Sequence, residues 1–189
     1  MTEEFLIPQP QTFAAISYLQ QILPNRWDLA AIPPDGSRPE FRTFAPTEIQ
    51  AATAWIEERQ GRAGLYYHVN EIRPGIRHRK ATKADIARVL HLHADIDVSD
   101  DVTLQRIRSF APAPTVIVFS GGGYQPIWKL REPSTELDRA ECINMAIAHA
   151  LGGDNCHNVD RLLRLPGTVN MPNAKKQATG RVPVLARII

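Results

Sequence analysis

The chain has 189 residues, 43% apolar and 22% charged, a composition that suits one sizeable core or two small lobes sharing a cleft and argues against disorder as the default. Its 22 basic and 20 acidic residues leave a net charge of only +2, and no apolar run approaches the length of a membrane span. The acidic, proline-bearing start (MTEEFLIPQPQ) is neither a signal nor a transit peptide, which points to a cytoplasmic protein.

In chain order, apolar residues at helical spacing predict a helix from Gln11 to Leu23, stopped by Pro24. Trp27 to Ile32 and Glu40 to Phe44 read as strands around the turn Pro-Pro-Asp-Gly-Ser. Pro46-Thr47 opens a helix to about Arg59, and the glycines at 61 and 64 break it. Leu65 to Val69 is a strand, and Asn70 to Lys80 reads as loop. A short helix begins at Ala81 or Thr82, and Val89 to Val98 is a strand. Asp100 or Asp101 caps a helix through Phe110. Thr115 to Phe119 and Tyr124 to Leu130 are strands joined by Ser120-Gly-Gly-Gly123. A long helix runs from Ser134 or Leu137 to Leu151, with Gly152-Gly153 as its stop, and Val182 to Ile189 reads as a last strand. This mixed order predicts an α/β or α+β domain.

Cys142 reads as a small core residue and Cys156 as a loop residue, with no zinc-type spacing and no disulfide expected. Charge is segregated along the chain. After Asp160 no acidic residue occurs, yet Arg161, Arg164, Lys175, Lys176, Arg181 and Arg187 follow. A second basic cluster holds Arg73, Arg77, Arg79, Lys80 and Lys83. Segments of one sign can form the footprint of a polyanion site, or simply a solvated surface.

The segment Leu90-His-Leu-His-Ala-Asp-Ile-Asp-Val98 alternates without a break. Read as a strand, it puts Leu90, Leu92, Ala94, Ile96 and Val98 on one face and His91, His93, Asp95 and Asp97 on the other. Asp95 and Asp97 then stand about 6–7 Å apart at the backbone. Two such charges about 4 Å apart repel by roughly 4 kcal/mol near a surface, and a bound cation turns that repulsion into coordination. Carboxylate oxygens suit Mg²⁺ or Mn²⁺ carrying a triphosphate. The competing readings are a solvent-facing polar strand and a metallohydrolase face built from His91, His93, Asp95 and Asp97.

Val116 to Trp128 is strand, glycine turn, strand. Three glycines let backbone approach a ligand closely, and exposed amides in such a turn bind phosphate, with Ser120, Tyr124 and Gln125 at hand. Farther on, Asp154, Asp160, Arg161 and Arg164 lie in one segment. Either aspartate can supply a third metal carboxylate, and arginine forks match phosphate oxygens.

Three motifs thus stand in order: Ala94-Asp-Ile-Asp97, Phe119-Ser-Gly-Gly-Gly-Tyr-Gln-Pro-Ile-Trp128, and Asp160-Arg-Leu-Leu-Arg-Leu-Pro-Gly-Thr-Val-Asn170. From about Tyr66 to Asn170 the chain resembles the archaeo-eukaryotic primase superfamily. Within it the similarity is to primase and primase-polymerase domains of phages and plasmids, the RepB-type primases of such mobile elements included. The resemblance implies a nucleotidyltransferase core with a sheet like that of RNA-recognition motifs (about 81–189) beside an N-terminal α/β module (about 1–80). The two make a single catalytic domain over 1–189, with the active site between them. It implies Asp95, Asp97 and Asp154 as catalytic metal ligands for Mg²⁺ or Mn²⁺, with Asp160 the alternative third. It further implies Ser120, Tyr124, Gln125, Arg161 and Arg164 as nucleotide contacts, with Gln125 where the family most often has histidine. Arg73, Arg77, Arg79 and Lys80 are the expected contacts to a single-stranded DNA template. The expected activity is DNA primase or polymerase chemistry from nucleoside triphosphates in replication. The strand-like ending Val-Leu-Ala-Arg-Ile-Ile suggests a domain cut from a longer, helicase-bearing replication protein. A metallohydrolase and a non-catalytic nucleic-acid-binding initiator are the rival functions.

Overall fold

A computed structural model describes residues 7–76 and 78–189. It is an antiparallel α/β structure built on two larger sheets. The first sheet has the order β2-β1-β3-β8, from β1 (Trp27–Ile32), β2 (Glu40–Phe44), β3 (Gly64–His68) and β8 (Leu162–Arg164). Helices α1 (Thr12–Ile22) and α2 (Ile49–Arg59) belong to the same half. They share a core with this sheet through residues such as Leu19, Ile56, Leu65, Tyr67 and Leu163. The strand β8 comes from the C-terminal half of the chain, so residues before 80 do not complete this sheet alone. It pairs Tyr66 with Arg164 across the seam.

The second sheet has the order β11-β6-β7-β5-β4. Its strands are β4 (Glu71–Ile72), β5 (Ile86–His93), β6 (Val116–Phe119), β7 (Tyr124–Ser134) and β11 (Arg187–Ile188). Helices α3 (Asp101–Arg108) and α4 (Leu137–Leu151) contribute Ile107, Ile147 and Leu151 to its core, beside Ile117 and Trp128. Two-residue strands β9 (Val169–Asn170) and β10 (Val184–Leu185) pair around the short helix α5 (Ala174–Gln177).

The α3 cap is Asp100, whose carboxylate accepts the Thr103 N–H at 2.7 Å. The α4 stop is Gly152 in the left-handed region, at φ +70°, where a side chain is strained.

Several expectations need correction. Pro46-Thr47 is a turn, and α2 begins only at Ile49. The expected loop after Asn70 contains β4, paired with β5. The segment expected as one final strand is two, because buried Ala186 binds Gly167 and Thr168 between them. Cys142 lies exposed on α4 rather than in the core. The β5 ladder runs from Ile86 and ends at His93, after which Ile96 makes one isolated bridge to Tyr124. No helix among the described residues is long and apolar enough to cross a membrane.

Candidate functional site

The site is a cleft of about 240 Å³ at the seam of the two sheets. Asp95 and Asp97 enter it just past the end of β5. The glycine turn between β6 and β7 presses on their backbone. A methyl group added at Gly123 would collide with the Ile96 carbonyl oxygen and lie 2.9 Å from the Asp97 Cα. From the other side Gly153 stacks on the Asp95 carbonyl, and the Asp154 N–H donates to that oxygen at 2.8 Å. Three carboxylates thereby share one wall.

Asp154 records that crowding. Though Asp154 is exposed, slight desolvation, then the charges of Asp97 and Asp95 and a hydrogen bond with Asp97, push its carboxyl above the ordinary value. Among the described residues no three His, Cys, Asp or Glu side chains stand in ready metal-ligating geometry. The three carboxylates face one another without closing into a cage. Their chemistry nevertheless fits a hard divalent cation, since all offer oxygen and all carry the charge such an ion would neutralise.

A continuous hydrogen-bond chain holds the rest of the cleft. The Gln125 amide donates to Asp95 Oδ1 at 3.1 Å and accepts the Arg164 N–H at 3.0 Å. Arg164 Nη2 donates to the Tyr66 hydroxyl at 2.6 Å and to Asn170 Oδ1 at 2.8 Å. Its guanidinium lies over the Tyr66 ring, 4.0 Å from the centroid. Asn170 in turn donates to the Ser120 carbonyl at 2.8 Å. Arg161 reaches Asp95 Oδ2 at 3.4 Å. Two buried donors, Arg161 Nε and Arg164 Nη1, have no partner among the described residues. Unmet buried donors are costly, and Arg164 Nη1 lies against the backbone of Gly64.

Of the residues expected here, Asp95, Asp97, Asp154, Ser120, Gln125, Arg161 and Arg164 line the cleft together. Arg161 lies just before β8, so it reaches the same cleft as Arg164 although the two are three residues apart. Tyr124 does not join them. It is buried against Phe119 in the second core, and its hydroxyl donates to the Ser99 carbonyl. Asp160 also turns elsewhere, accepting from Asn158 and standing 3.7 Å from Lys80. Arg73, Arg79 and Lys80 are exposed, with Arg79 bidentate on Asp85. Arg77 lies outside the described residues.

The cleft adds Tyr66, Asn170, Lys176 and Arg181, which the motif reading did not place there. Lys176 and Arg181 belong to the acid-free basic stretch, and Asn170 ends the third motif. Nothing in the pattern marks Tyr66, an ordinary strand residue.

The histidines do not form a metal face. His91 and His93 are fully buried. His91 Nδ1 donates to the Val69 carbonyl at 2.8 Å, and His93 Nε2 donates to the Cys156 carbonyl at 3.2 Å. Burial pushes the His91 imidazole down to about 4, against the pull of its bond to Val69. It does the same to His68, also to about 4, with Asp28 pulling upward. The folded state therefore refuses protons that the unfolded chain accepts near its ordinary value of 6.5. Stability is complete above that value and is lost as pH falls toward 4, by up to about 1.4 kcal/mol per pH unit for each histidine. Thermal melts should show the midpoint dropping between about pH 7 and pH 5. A midpoint that stays level would show that these rings titrate without cost to the fold.

The sequence matches the family of the RepB DNA-primase N-terminal domain over residues 44–188. Solved structures give the same fold. The crystal structure of primase RepB′ superposes with a TM-score of 0.68 at 15% identity, over 94% of this chain and 56% of that one. The present chain thus spans about half the length of that relative. The archaeo-eukaryotic primase domain of the cyanophage S-2L primase-polymerase superposes at 0.67 with 17% identity, over 96% and 91% of the two chains. The catalytic domain of primase RepB′ in complex with initiator DNA superposes at 0.65 with 17% identity, over 93% and 84%. No curated protein matches the sequence.

Proposed function

The chain belongs to the RepB DNA-primase N-terminal domain family, and from that premise we propose that its cleft joins nucleoside triphosphates into a strand on a single-stranded DNA template. The observation that carries this reading is the meeting of Asp95, Asp97 and Asp154 with a glycine turn and four cations, Arg161, Arg164, Lys176 and Arg181, in one cleft.

Asp95, Asp97 and Asp154 would hold Mg²⁺ or Mn²⁺, which supplies charge neutralisation at the phosphates and acidifies a 3′-hydroxyl. The chain's own residues do the rest. Gln125 holds Asp95 on one oxygen and Arg161 approaches the other, so its carboxylate cannot rotate away. Ser120 donates its hydroxyl across its own turn to the Gly123 carbonyl at 3.2 Å, stiffening the loop that faces the polyphosphate. Arg164 is buried and committed to Tyr66 and Asn170, so it shapes the cleft. Lys176 and Arg181, on the segment folded over the turn, are the cations that receive the outer phosphates.

The test is incorporation of labelled nucleotides on single-stranded DNA with Mg²⁺ or Mn²⁺. Incorporation that depends on the cation supports the proposal. A folded protein that binds DNA tightly but incorporates nothing would replace it with the non-catalytic initiator.

The basic loop holds template phosphates in this reading. Arg73→Ala with Lys80→Ala should then flatten the dependence of log Kd on log salt by about 1.4, at about 0.7 per lost phosphate contact on a single strand. An unchanged slope in a fluorescence titration would take the loop out of the template path.

A further inference from the structure

Two fully buried polar side chains next to the cleft have no part in the chemistry above. Asn144 sits on the buried face of α4, among Ala140, Ile147, Ala148 and Leu151. His93 ends β5, two residues before Asp95. An amide enclosed by apolar neighbours costs free energy unless its bonds are met, and an aliphatic residue would fill the space more cheaply.

Their bonds all run between the same two pieces of backbone. Asn144 Oδ1 accepts the His93 N–H at 3.0 Å. Its Nδ2 donates to the His157 carbonyl at 3.0 Å and faces His93 Nδ1 at 3.4 Å. The other ring nitrogen, Nε2, donates to the Cys156 carbonyl at 3.2 Å. One end of this bridge is therefore the strand that leads into Asp95, and the other is the loop that leads out of Asp154. The upstream end of that loop is already tied, by the Asp154 N–H on the Asp95 carbonyl. Without the bridge, Cys156 and His157 would lose their hold on β5, and the Asp154 N–H on the Asp95 carbonyl would be the backbone bond left between Asp154 and the segment that carries Asp95.

We propose that His93 and Asn144 are positioning residues that pin the loop at Cys156 and His157 against β5, and so fix Asp154 at the distance from Asp95 and Asp97 that a shared divalent cation requires. Neither side chain touches the ion or the nucleotide; each acts through the backbone on a carboxylate. Partners of this kind commonly change metal affinity by about 10- to 100-fold when removed. The inference rests on the reading of the three carboxylates as a cation site.

The decisive variant is Asn144→Asp. It is isosteric, keeps the acceptor for the His93 N–H, and removes the donor to His157. Mn²⁺ binding to the nucleotide-free protein, followed by calorimetry, should weaken about 10-fold. The Mn²⁺ concentration for half-maximal incorporation should rise in step, with DNA affinity unchanged. Leu19→Ala, in the other core, supplies a loss of melting temperature with normal Mn²⁺ affinity, which separates positioning from general loosening. If Asn144→Asp does not fold, His93→Phe keeps the ring volume, loses the bond to Cys156 and carries the same expectation. Mn²⁺ affinity in the folded variant within about twofold of the unaltered protein would overturn the proposal. Absence of any Mn²⁺ binding by the unaltered protein would overturn the cation site itself, and the two failures are thus told apart.

Discussion

Asp95→Asn should abolish nucleotide incorporation, by more than about 100-fold, while the protein still folds. The substitution is nearly isosteric. Its amide oxygen can still accept from the Gln125 amide, which now spans Asp95 and the Arg164 backbone. What disappears is one negative charge on a wall that carries three, and with it both the pull on a cation and the pairing with Arg161. The loss exceeds that of an outer partner because Asp95 would touch the ion directly. Incorporation assays across Mn²⁺ concentrations measure it, with circular dichroism to verify the fold. Activity near the unaltered level would remove Asp95 from the mechanism.

Gly123→Ala should have the second largest effect. The added methyl meets the Ile96 carbonyl and the Asp97 backbone, so the turn or the aspartate segment must move. Overpacking of this kind costs about 1–3 kcal/mol. For a chain of this size that corresponds to a melting temperature lower by roughly 4–8 °C at the middle of the range. Activity should fall much further than stability, because the displaced atoms include the backbone of a proposed ligand. Gly121→Ala serves as comparison. That glycine has φ +96° and abuts the Asn170 side chain, so its substitution strains the turn without pressing on Asp97. Equal losses from both would show that turn flexibility, and not contact with Asp97, matters.

Local patterns were the legible part of this molecule. Strands β1 and β2 fall where their turn residues bound them, and α1 and α4 where apolar spacing and the Gly152 stop put them. The pair Asp95 and Asp97 was visible because two carboxylates on one short stretch need a reason. Strands of two residues, β4, β9, β10 and β11, have no periodicity to detect, and only tertiary pairing makes them strands. Tyr124 was misplaced for a simple reason. It and Gln125 are neighbours on β7, so they point to opposite faces and only one can reach the cleft. The alternation through His91 and His93 was real, but alternation does not tell a wet face from a buried one. Both rings turned out to be enclosed by backbone carbonyls from distant segments. Tyr66 and Asn170 join the site through Arg164, a link made across 98 and 6 residues of sequence that no local pattern carries.

The pairing of Tyr66 with Arg164 also sets the order in which the molecule can be made. During synthesis the first sheet waits with one flank of β3 bare until residue 164 has left the ribosome. A bare strand flank invites wrong partners, and long-range closure of this kind slows folding. The cleft is completed later still, because Asn170, Lys176 and Arg181 follow β8 in the chain. A fragment ending before β8 would keep Asp95, Asp97 and Asp154 but lack Arg164, Asn170, Lys176 and Arg181.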